Sequence, residues 1–178
     1  MKTKLTLLLL FIFNLSFSQT KEEVMEAILE KDHLMYKSPD GFNNISDILK
    51  EKFSEEELFE FTTHEKSNLR LAAKLVLIEM NKGNVIDFLT SEIKTNEEIK
   101  YIDGAYVDNL NTVSLIYYFY TQNRIMKTLG YLGQKAAERL VFNSAEVKQM
   151  NKIIMDSEVA LSAYVREKIF KYEKSDKN

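Results

Sequence analysis

Cysteine and tryptophan do not occur in this 178-residue chain, proline occurs once, and there are five glycines and two histidines. Without cysteine there is no disulfide, no thiolate ligand and no N-terminal lipid anchor of the kind attached through a cysteine, so stability has to come from core packing. His33 and His64 stand apart, with no His-Glu-x-x-His spacing, and a transition-metal site needs three or four ligands drawn from such groups. The scattered glycines form no phosphate-cradling loop, and Gly-x-Ser-x-Gly is missing. No catalytic residue, no metal ligand and no cofactor is therefore expected. Acidic residues outnumber basic ones, 27 to 24, which argues against nucleic acid and anionic membrane surfaces as partners.

Long apolar runs are also scarce. The one that exists opens the chain: Lys2 and Lys4 precede residues 5–13, Leu15 and Phe17 extend the run, and Ser16-Phe17-Ser18 places small residues before Gln19. A positive start, a short apolar stretch and a small-x-small end make a cleavable secretory leader over residues 1–18. The run is too short for a membrane span, which needs roughly 20 apolar residues. Loss of Lys2 and Lys4 takes the 24 basic residues to 22 against 27 acidic. The expected location is periplasmic or extracellular.

The remainder, 19–172 with a polar tail at 173–178, reads as one all-α domain. Thr20 with Glu23 and Ser54 with Glu57 are capping boxes. The first opens a helix whose apolar stripe continues through Leu34 and Met35, and Ser38-Pro39-Asp40-Gly41 stops it. Ile45, Ile48, Leu49 and Phe53 mark a second helix, and Leu58, Phe59 and Phe61 a third. Ser67 is the expected cap of a fourth, running to Met80 with a wide apolar face. Gly83 suits the left-handed position beyond it, and Asn84 caps a fifth carrying Val85, Phe88, Leu89 and Ile93. The helical period fails over 95–111, where Asp103-Gly104 is turn chemistry and a short hairpin also fits. Residues 113–120 are almost wholly apolar and aromatic, which period alone cannot divide between helix and strand; length and neighbours favour a buried helix. Gly130 and Gly133 predict a bent or interrupted helix over 124–142. Ser144 caps a helix bearing Val147, Met150 and Ile154, and a last helix carries Leu161, Val165 and Ile169.

Leu69-Arg70, Ala72-Ala73 and the Asn81-Lys82-Gly83-Asn84 turn fall where a HEAT repeat places an apolar-Arg pair, a small-residue pair and a tight turn, so residues 63–93 resemble such a repeat. Asn96-Glu97-Glu98-Ile99-Lys100 and Ser162-Ala163-Tyr164-Val165-Arg166 are fainter echoes. The resemblance implies short antiparallel helix pairs stacked as a small solenoid; the plainer alternative is an irregular helical bundle with one repeat-like hairpin. It also implies scaffolding rather than catalysis, with Arg70 and Arg166 bridging turns.

Two groups of residues invite a functional reading. Tyr101, Tyr106, Tyr117, Tyr118 and Tyr120, with Phe119, crowd into a short segment, and one helical face cannot bury 117–120 together. Tyrosine favours recognition surfaces, so these five are the expected contacts for a protein or peptide partner. Asp103 and Asp108 flank a loop tip, and paired carboxylates can hydrolyse when correctly spaced; solvated loop charges are the ordinary alternative. A structural or inhibitory domain without ligand is the third possibility. Asn44-Ile45-Ser46 is a glycosylation sequon, meaningful only in a eukaryotic secretory route.

Overall fold

The Thr20 hydroxyl accepts from the Glu23 N–H while the Glu23 carboxylate accepts from the Thr20 N–H, and this reciprocal cap starts α1, Lys21–Leu29. Ser54 and Glu57 repeat the device at α3, Glu55–Phe61. Asn84 and Ser144 accept from Ile86 and Val147 at the starts of α5, Val85–Thr95, and α8, Ala145–Met155. With α2 (Ile45–Lys52), α4 (Ser67–Glu79), α6 (Thr112–Leu132), α7 (Gln134–Phe142) and α9 (Ala163–Ser175), these make nine helices among the described residues. The computed structural model describes residues 20–37, 44–103 and 106–175. The leader at 1–18, the Ser38-Pro39-Asp40-Gly41 turn and Gly104 lie outside them.

The fold is mostly helical but not wholly so, because three strands form a small sheet in the order β1-β2-β3. β1, His33–Lys37, occupies the stretch whose spacing predicts the end of the first helix. Helical spacing there is a coincidence of Leu34 and Met35. The operative pattern has period two: Leu34 and Tyr36 are fully buried, with Met35 only half-buried between them. α1 stops early because Asn68 of α4 donates its amide to the carbonyls of Ile28 and Lys31, satisfying groups that a continuing helix would have used. β2, Glu98–Asp103, runs parallel to β1 with Leu34 opposite Tyr101, and antiparallel to β3, Tyr106–Asn111, with Ile99 opposite Leu110. The hairpin alternative for 95–111 is therefore the one adopted, and the repeat echo beginning at Asn96 is a strand. Asn96 turns the chain there at φ 48°.

α4 and α6 form the centre. Every residue of α4 from Asn68 to Ile78 is buried, and α6 packs on α4, α5 and α7. α4 begins one residue earlier than its expected cap implies: Lys66 holds the cap position without a side-chain bond, and Ser67 is already helical. Asn81 at φ 56° and Gly83 at φ 72° turn the chain into α5. α6 passes straight through Gly130, and the break falls at Gly133, also at φ 72°. α9 continues to Ser175, further than the polar tail suggests. Among the described residues, no helix is long and apolar enough to cross a membrane.

Candidate functional site

Successive residues of a helix project about 100° apart, and the aromatic run on α6 is dispersed by that rotation. The Tyr117 hydroxyl donates to Asn151 of α8 at 2.8 Å. Tyr118 meets Tyr164 of α9 edge to face, with ring centroids 5.2 Å apart. Phe119 meets Tyr36 of β1 at 4.9 Å, and Tyr120 lies under Arg124. The five tyrosines expected to share one binding surface therefore do not share one. Tyr101 and Tyr117 are fully buried, which leaves them no face to offer a partner. Tyr118 and Tyr120 are half-buried on different sides of α6, and the Tyr106 side chain lies outside the described residues.

Tyr118 nevertheless stands in a slot. Leu110 of β3, Tyr118 and Gln122 of α6, and Ser162 and Tyr164 at the start of α9 line a cavity of about 410 Å³. Specific contacts hold its walls. The Ser162 N–H donates to the Ser114 hydroxyl at 2.9 Å, pinning α9 to α6. Gln122 donates its amide to the Tyr164 oxygen at 2.6 Å. The Asn111 side chain accepts from Val113, which fixes the passage from β3 into α6. Burial pushes the Tyr164 phenol up to about 12; burial, then the charge of Asp103, raises that of Tyr118. Both hydroxyls stay neutral over the ordinary pH range and can donate or accept. Sequence reasoning missed Leu110, Gln122, Ser162 and Tyr164. The Ser162–Arg166 echo is the available signal, but its pattern encodes packing and says nothing of the tyrosine's direction.

The carboxylates of the hairpin lie apart from the slot. Asp103 ends β2 opposite Tyr106, and Asp108 of β3 sits opposite Tyr101. Asp103 accepts weakly from the Tyr101 hydroxyl at 3.4 Å, and Asp108 accepts from the Asn109 N–H at 2.8 Å. Neither residue borders the slot. His33 pairs with Asp32, and His64 accepts from the Lys66 N–H, so each serves its own turn. Among the described residues, no group of His, Asp and Glu side chains is placed to hold a metal ion.

A charged cluster does exist between α4 and α5. Glu92, fully buried, receives Arg70 at 2.9 Å and Lys74 at 2.5 Å. Arg70 also donates to the turn carbonyls of His64 and Glu65 and to Glu97, which makes it a bridge between turns. Arg166 likewise donates to the Leu161 carbonyl. Lys74 lies 2.7 Å from the Ser91 oxygen, an arrangement that could activate a serine if the lysine were a base. Here Lys74 donates to both Ser91 and Glu92, and the Ser91 hydroxyl spends its proton on the Phe88 carbonyl, so neither base nor nucleophile is presented. The cluster holds the two helices together. No family model, no curated protein and no solved structure matches the chain.

Proposed function

We propose that this chain is an exported helical module, built around the HEAT-like pair α4 and α5, that binds a protein partner by seating an extended peptide segment in the slot between β3, α6 and α9. The observation that carries this reading is the Tyr118–Tyr164 pair flanking the cavity of about 410 Å³. Rigid aromatic walls provide contact area at low entropic cost, and Gln122 and Ser162 place polar groups beside them. β3 is an edge strand of the sheet, and an edge can extend its ladder to an added peptide strand. The leader pattern at 1–18 supports export, and N-terminal sequencing of the mature protein should begin at Gln19.

Selection from a displayed peptide library tests the binding reading and requires no named partner. Enriched peptides should share a short motif and lose at least tenfold in affinity for a Tyr118→Ala, Tyr164→Ala variant. They should be indifferent to Tyr131→Ala, whose ring is 88% exposed elsewhere on α6. No enrichment, or enrichment insensitive to the slot tyrosines, rejects the proposal.

A further inference from the structure

A second cleft, of about 930 Å³, lies between α7, α8 and the end of α9, and its charge is opposite to that of the chain as a whole. Lys135 and Arg139 of α7, Lys148 of α8 and Lys171 of α9 all line it. Among the described residues the one carboxylate of its walls, Glu138, is engaged by Lys168 at 3.5 Å and by the Gln134 amide at 3.4 Å. Neither Lys135 nor Arg139 makes an ion pair with any described residue. The chain's net charge of −3 conceals this concentration.

Two further features point the same way. Gln134 and Lys135 are the first residues of α7, and both border the cleft. The cap residue, Gly133, has no side chain to satisfy the N–H groups that follow, and the first turn holds no acid. That end of the nine-residue helix thus carries unsatisfied donors and the positive pole of the helix dipole. A lysine there works against the helix, since the dipole favours acids at this end. Placing Lys135 in a first turn without an acid, with Arg139 one turn further along the same helix, makes physical sense when an anion completes the site. The Tyr172 ring, which lines the cleft, stacks on the buried Phe142 ring at 4.6 Å and is held there.

We propose that this cleft binds a phosphate group, carried either on a soluble ester or on an anionic phospholipid headgroup. The guanidinium fork of Arg139 grips two oxygens of a tetrahedral anion at once. Lys135 and Lys171 supply charge around it, and the α7 N-terminus contributes backbone donors.

Two probes distinguish the sources. The mature protein is titrated with inorganic pyrophosphate by calorimetry at low ionic strength. It is also floated with vesicles of phosphatidylglycerol and phosphatidylcholine, against phosphatidylcholine alone. At least one probe should bind. Lys135→Gln with Arg139→Gln should weaken that binding about tenfold or more, the effect of losing a charge-assisted contact. Lys66→Gln with Lys94→Gln removes the same charge from exposed positions elsewhere and should leave binding within about twofold, with circular dichroism unchanged in both. Binding of pyrophosphate alone assigns a soluble ester, and binding of the anionic vesicles alone assigns a headgroup. Failure of both probes, or equal loss in the two double variants, overturns the assignment.

Discussion

Arg70 Nε lies 2.9 Å from Glu92 Oε1, and the two side chains are only 7% and 0% exposed. Lys74 donates to the same oxygen from a position 1% exposed, so one buried carboxylate balances two buried cations. Removing Glu92 strands both, with only the more exposed Glu97 left to Arg70. Removing Lys74 leaves Glu92 still gripped by Arg70 through two nitrogens. Glu92→Gln should therefore destabilise by about 3–5 kcal/mol, whereas Lys74→Met, which fills the same space with apolar atoms, should cost far less. Urea titrations of the two variants check the asymmetry. Equal losses would show that Lys74, not Arg70, is the partner that compensates Glu92.

Acid should weaken the fold through two carboxylates. Burial acts to raise Glu92, but hydrogen bonds from Arg70 and the charge of Lys74 outweigh it and hold the group below its ordinary 4.5. Glu79 is similar: burial opposes its charge, yet Ser46 at 2.6 Å, Lys50 at 3.0 Å and Tyr36 at 2.8 Å all donate to Oε2 and bring it below 4.5. A carboxylate depressed in the folded state stabilises fully above its unfolded value and loses that contribution as pH falls through the folded one. The melting temperature should be level above about pH 5 and decline below 4.5. In Glu79→Gln the plateau should sit lower and the decline should be shallower. A decline as steep as in the parent would exclude Glu79 as a source.

Much of the helical frame is legible in the sequence because caps are local. Thr20 with Glu23 and Ser54 with Glu57 act within one turn, so nothing distant can overrule them. β1 is not legible. Whether Leu34 and Tyr36 alternate as a strand depends on β2, more than sixty residues away, and on Asn68 ending α1. The slot fails to show for a related reason. Tyr118 and Tyr164 are meaningful together only once Ser114 has fastened the start of α9 to α6. The tyrosine run falls on the helix that carries Tyr118, but rotation about its axis sends Tyr117 and Tyr120 to other neighbours.

Gly83 and Gly130 should respond to alanine in opposite directions. At Gly83 φ is +72°, and an added Cβ would stand 2.5 Å from Cζ of Phe88 and 3.2 Å from Phe59. Left-handed strain and overpacking add, so Gly83→Ala should destabilise by about 2–4 kcal/mol. Gly130 lies within α6, where an added Cβ meets nothing within 4 Å. Alanine there should stabilise by about 0.5–1 kcal/mol through backbone entropy alone. Thermal unfolding of the two variants tests this, and a stabilised Gly83→Ala would refute the stated turn geometry.

Thr112 opens α6 fully buried, and its hydroxyl oxygen has no hydrogen-bond partner among the described residues. Its backbone N–H is used, since it donates to the Glu97 carbonyl at 2.9 Å and so ties the start of α6 to the start of β2. The hydroxyl contributes nothing to that link and carries the penalty of a desolvated polar group, about 1–3 kcal/mol. Valine has nearly the same shape and the same β-branched stiffness at χ1. Thr112→Val should therefore raise stability by about 1 kcal/mol and leave peptide binding in the slot unchanged, because the backbone contact that positions α6 is retained. Denaturation midpoints of the variant and the parent decide it: a lower midpoint in the valine variant would mean that the hydroxyl is bonded in solution, and that its hydrogen bond helps to seat the start of α6.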